Sequence, residues 1–163
     1  MKRSLLLLTT LTLIIAASFL SCTAEKPQIE AEPEITTYYF TKTVDYTFNE
    51  AIEKVTATLK EQGFGVVSDI DMKAKLHAKL DVDMYNYRIL GACHPPSAFN
   101  AIELEDKIGL MLPCNVIVQE RTPGVVEVSA IDPAAAMSMI DNDGLETIAA
   151  EVGEKLRLAI EAL

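Results

Sequence analysis

Residues 116–131, VIVQERTPGVVEVSAI, decide the fold class. Val116–Gln119 and Val125–Ile131 read as two strands, and Thr122-Pro123-Gly124 between them is a turn signal, so the stretch predicts a hairpin. Two strands joined by a tight turn run antiparallel. Around this hairpin, strand and helix patterns are mixed. That favours an α+β fold, a mostly antiparallel sheet with helices packed on it, over a doubly wound parallel sheet.

Working outward, residues 36–46, TTYYFTKTVDY, are β-branched and aromatic and read as a strand. Thr47-Phe48-Asn49-Glu50 has the form of a capping box, and Phe48, Ile52, Val55 and Leu59 then mark one apolar helix face that Gly63 ends. Residues 64–70 form a short apolar strand. Asp71 is placed to cap a helix over 72–80 with Leu76 and Leu80 on one side, and residues 85–93 are a third strand. His94-Pro95-Pro96 breaks that strand before a helix over 97–104. Beyond the hairpin, residues 133–140 predict a short helix. Asn142 or Asp143 caps the last one, whose stripe is Leu145, Ile148, Val152, Leu156 and Ala159.

The ends and the composition bound the function. Lys2 and Arg3 precede an apolar run from Leu5 to Leu20, the layout of a secretory signal. The run is shorter than a spanning helix needs, and four Ser and Thr residues dilute it. It closes in Phe19-Leu20-Ser21-Cys22, which resembles a bacterial lipobox. That resemblance implies a signal peptide over 1–21 and lipidation of Cys22 in the cell envelope, with Thr23 in place of Asp leaning toward the outer membrane. Residues 22–35, with two Pro and several Glu, read as an extended acidic tether to a single domain over 36–163. Half the residues are hydrophobic and 23% are charged, which excludes a disordered tail. The formal charge of -10 becomes more negative once Lys2 and Arg3 are lost, so nucleic acid is not an expected partner. Three Cys and two His exclude a disulfide scaffold and a multi-zinc protein. No GxSxG, phosphate loop or HExxH occurs, and Trp is absent.

Two stretches could carry chemistry: Gly91-Ala92-Cys93-His94-Pro95-Pro96 and Leu112-Pro113-Cys114-Asn115. Each sets a Cys where a strand meets a Pro-bearing turn. These stand in an ordered set with Gly63-Phe64-Gly65, Ile70-Asp71, residues 88–93, residues 108–116 and residues 129–133. Together they resemble domain-of-unknown-function family 302 from about Tyr38 to Leu163. The resemblance implies a small α+β domain with a curved antiparallel sheet, a homodimeric habit and no established activity. His94 departs from the Asn or small polar residue usual there, so the resemblance implies no role for it.

Three readings of Cys93, His94 and Cys114 stay open. The thiols pack as small hydrophobes. Or the three residues hold a soft metal such as Zn or Cu, or the two thiols cycle in redox chemistry. Or Cys93 and Cys114 form a disulfide, since lipidation of Cys22 leaves an even pair. On an extended strand, Cys93 and His94 would point to opposite faces unless the Pro pair turns the chain. Asn115 offers an amide as a polar contact beside Cys114. His77 reads as solvated, Asp69, Asp71, Asp81 and Asp83 as caps or a solvated face, and Asp132-Pro133 as a helix start. The expectation is a lipid-anchored, non-enzymatic domain that binds a small molecule or soft metal near Cys93 and Cys114. The alternatives are a thiol-based redox protein using the same pair and a purely structural envelope component.

Overall fold

The computed structural model describes residues 38–163; the leader, Cys22 and the tether lie outside them. Among the described residues, five strands and five helices follow one another: β1 (Tyr39–Val44), α1 (Phe48–Glu61), β2 (Gly65–Asp71), α2 (Met72–Leu80), β3 (Asn86–Cys93), α3 (Pro95–Leu104), β4 (Cys114–Thr122), β5 (Val125–Ile131), α4 (Pro133–Ala136) and α5 (Asp143–Glu161). A single 3-10 turn, Ile108–Met111, precedes β4. The strands form one sheet in the order β1-β5-β4-β3-β2, and every neighbouring pair is antiparallel. The expected α+β class holds. None of the described helices is long and apolar enough to cross a membrane.

Local chemistry sets the helix ends. Thr47 and Glu50 close the capping box: the Glu50 N–H donates to Thr47 Oγ1 (3.4 Å), and the Thr47 N–H donates to the Glu50 carboxylate (2.9 Å). The Thr47 hydroxyl, donating to the same carboxylate at 2.6 Å, and then the Thr47 N–H hold the Glu50 carboxyl below its ordinary pKa. Past the other end of α1, Gly63 takes φ +85°, a left-handed conformation that costs glycine least. Asp71 caps α2 by accepting from the Ala74 N–H (2.9 Å), and Asn142, rather than Asp143, caps α5.

Burial follows strand parity. Leu90 and Ala92 of β3, Cys114, Val116 and Val118 of β4, and Val126, Val128 and Ala130 of β5 form one buried face. Against it pack Ala51, Val55 and Leu59 of α1 and Val152, Leu156, Ala159 and Ile160 of α5. At about 25 cal/mol per Å² of apolar area removed from water, each of the larger side chains contributes roughly 1.5–3 kcal/mol. A second, smaller cluster joins Ala101, Ile108 and Leu145.

Several expectations shift. Phe48 and Ile52 are only partly buried, and Ala51 takes the central place on α1. Helix α2 buries no residue, and Leu80 is 64% exposed, because only β3 backs that helix closely. Strand β4 begins at Cys114 rather than Val116, because the register with β3 pairs Ala92 with Cys114 and draws two more residues into the ladder. Helix α3 starts at Pro95, where proline's missing N–H costs nothing.

Candidate functional site at the Cys93–Cys114 rim

The sheet brings together what the sequence separates. Cys93 ends β3 and Cys114 begins β4, and Ala92, one residue before Cys93, is the cross-strand partner of Cys114. Strand spacing and residue rise put the two Cys Cα atoms on the order of 6 Å apart. Both are free thiols, so the disulfide, one of the three readings left open, is not formed. Both line a cavity of about 30 Å³, roofed by Ala98 and Ala101 of α3 and by Ile148, Ala149 and Val152 of α5. The cavity has room for an ion or a water molecule or two, and its wall is almost wholly apolar.

Cys114 is buried, and its thiol is pushed up to about 11, first by that burial and then by the nearby Cys93. At neutral pH it is therefore a protonated thiol and a poor nucleophile. This argues against a thiol enzyme that attacks through Cys114.

His94 reaches the same cavity but is engaged elsewhere. Its Nδ1 shares a 2.9 Å hydrogen bond with Ser97 Oγ one turn into α3. Its ring lies tilted on Phe64, with centroids 5.5 Å apart. The Cδ2–Nε2 edge lies over Gly63, where a Cβ would come within 3.1 Å. Gly63 thus has two reasons to be glycine, its positive φ and the imidazole above it. Burial, then the positive charge of Lys155, lowers the His94 pKa, so the ring is neutral at pH 7. Among the described residues, no three His, Cys, Asp or Glu side chains are grouped to hold one metal ion. The candidate set Cys93, Cys114 and His94 therefore reduces to a thiol pair, with His94 alongside.

Asn115 and Cys114 together line an open cavity of about 310 Å³ at the start of β4, but Asn115 does not reach the smaller thiol cavity. It follows Cys114 on β4, so pleat alternation sends it to the opposite face of the sheet, where it is exposed and lines a separate open cavity of about 410 Å³. Its cross-strand partner is Gly91. An added Cβ at Gly91 would lie 2.3 Å from Ser68 Oγ and 2.6 Å from Pro113 Cγ, so the Pro113 ring that leads into Cys114 rests directly over Gly91. His77 is exposed as expected, 3.7 Å from Asp83. Asp69 and Asp71 pair with the Arg88 guanidinium, and Asp71 also caps α2.

The match to known proteins covers this architecture. Residues 40–163 fit the family model described as domain of unknown function DUF302. The chain belongs to this family. One solved DUF302 protein, the uncharacterized conserved protein from Bacillus stearothermophilus, superposes with a TM-score of 0.72 at 26% identity. The alignment covers 78% of this chain and 98% of that one. No curated protein matches. The DUF302 fold therefore accounts for the sheet and the helices packed on it.

The sequence reading missed the cavity on the opposite sheet face. Tyr38, Tyr39, Tyr85, Tyr87 and Glu127 all line it. A signal was present: Glu127 is a lone acid set among valines in VVEVSAI, and Tyr85 and Tyr87 share strand parity.

Proposed function

We propose that this DUF302 chain is a lipid-anchored, non-enzymatic protein of the bacterial envelope that captures a small soft metal ion at the Cys93–Cys114 pair. The observation that supports this is the convergence of two thiols, 21 positions apart, on one ion-sized apolar cavity. Thiolates favour soft ions, and a two-thiol set without a third ligand fits Cu(I) better than Zn, which takes four ligands in closed sites. Binding must displace the Cys114 proton, so capture should strengthen as pH rises. Anaerobic titration of the full chain with Cu(I) against a chelating indicator tests this. One equivalent should bind, and Cys93→Ser, a change at a half-buried position, should abolish it. Failure of the wild-type chain to compete with the indicator would refute the reading.

The envelope location rests on the lipobox-like run that ends in Cys22. Several acyl chains on one residue, at ~0.8 kcal/mol per buried methylene, hold a protein to a bilayer. Replacing Cys22 with Ser should move the protein from the detergent-extracted membrane fraction to a soluble or uncleaved form. A mature, cleaved Cys22→Ser protein still in the membrane would contradict the anchor.

A further inference from the structure

The face of the sheet opposite the thiol pair holds a groove of about 410 Å³, within the size range of small-molecule sites. Its walls are unusual for this chain. Four of the five tyrosines in the sequence line it: Tyr38 just before β1 and Tyr39 at its start, Tyr85 just before β3 and Tyr87 within it. Tyr85 and Tyr87 meet edge to face with centroids 6.0 Å apart. Tyr87 of β3 stands in register with Gln119 of β4, and Gln119 with Glu127 of β5, so ring, amide and carboxylate form one row across three strands.

The carboxylate is held but not neutralised. Gln119 Nε2 donates to Glu127 Oε1 at 2.6 Å. Ser129 Oγ donates to the same oxygen at 3.4 Å and is itself hydrogen-bonded to Thr41 Oγ1 at 2.8 Å. Every one of these partners is neutral, and among the described residues no cationic side chain pairs with Glu127. The Tyr87 phenol is pushed up, first by burial and then by Tyr85, Tyr38 and Glu127, so it stays neutral beside the carboxylate. A fixed negative charge among aromatic rings lacks the cation that both would attract. Ring faces draw a cation within about 6 Å of their centroids, and do so more strongly where water is partly excluded.

We propose that this groove binds a small soluble organic ammonium ion, with the Glu127 carboxylate as counter-charge and the rings of Tyr38, Tyr85 and Tyr87 as its aromatic wall. The ligand class follows from the wall. A metal ion would want more oxygens than one carboxylate supplies, and an anion would be repelled. An uncharged ligand would leave Glu127 desolvated and unpaired, which is costly.

The absence of Trp makes tyrosine emission a direct readout of this groove. The probe is choline, titrated into the full chain in detergent at constant ionic strength, with sodium chloride and the uncharged carbon analogue of choline as controls. A saturable change in tyrosine emission is expected with choline and not with either control. Glu127→Gln should weaken choline about tenfold and Tyr87→Leu by several-fold, while Tyr87→Phe, which keeps the ring face, should change it less than about threefold. Thermal melting of each variant checks that the fold is kept. The proposal is overturned by no saturable response to choline, by equal binding of the uncharged analogue, or by unchanged affinity in Glu127→Gln. It is also overturned if emission responds to dilution instead, the sign that a second copy of the chain covers this face, or if only choline-headgroup vesicles bind.

Discussion

Gly91→Ala is expected to destabilise the domain by about 2–3 kcal/mol, although alanine is ordinarily the better strand residue. The new Cβ would sit 2.3 Å from Ser68 Oγ and 2.6 Å from Pro113 Cγ. Ser68 can swing its hydroxyl aside at little cost. The Pro113 ring cannot turn, so relief requires the backbone leading into Cys114 to shift. Reduced unfolded-state entropy returns only about 0.4–1 kcal/mol of the cost. Urea unfolding should therefore show a lower midpoint at an unchanged slope. Gly65→Ala, at a strand position with nothing within 4 Å, is the matched control and should move the midpoint little. Equal behaviour of the two variants would mean that Pro113 does not rest on Gly91. Because Pro113 positions Cys114, Gly91→Ala should also weaken capture of Cu(I) at the thiol pair.

The second large effect is alkaline. The Cys114 thiol lies at about 11 in the folded chain, against an ordinary value of 9.0. A group whose folded pKa is raised contributes its full stability below the unfolded value and loses it as pH climbs through the folded one. In the unfolded chain the thiol ionises from about pH 9, while the folded chain resists, so stability drains between about pH 9 and pH 11. Two units correspond to roughly 2–3 kcal/mol. The quantity to measure is the difference between the wild type and Cys114→Ala across that window, which isolates this thiol. The wild type should lose more stability on going from pH 8 to pH 11. Parallel curves would show that burial does not hold the Cys114 proton.

Both predictions concern the rim where β3 meets β4, and the sequence foretold that rim only in part. Each Cys was recognisable as a strand-end residue next to a Pro-bearing turn. Two Leu- or Ile-rich strands that stop on one rim also predict that the two Cys lie close, and the register that sets Ala92 against Cys114 brings them there; that register itself depends on β4 pairing with β3. His94 was equally ambiguous. Whether its ring joined the thiols or lay on Gly63 and Phe64 depended on how the chain turned into α3. Asn115 shares an open cavity with Cys114, while strand alternation turns its side chain to the other face of the sheet.

What the sequence determined by itself is local. The capping box at Thr47 and Glu50, the Asp71 cap, the Gly63 stop and the hairpin at Pro123-Gly124 each arise from interactions within a few residues, and each appears where the residues put it. The α+β class follows from those elements and the antiparallel hairpin. What only the tertiary structure decided is long-range: the strand order β1-β5-β4-β3-β2, the face on which each side chain falls, and so the gathering of Cys93 with Cys114 on one side and of four tyrosines with Glu127 on the other. Register has a period of two residues, and a slip of one would exchange the two faces. The choice between registers is made by the summed burial of the valines and leucines against α1 and α5, an energy that no short stretch of the sequence contains.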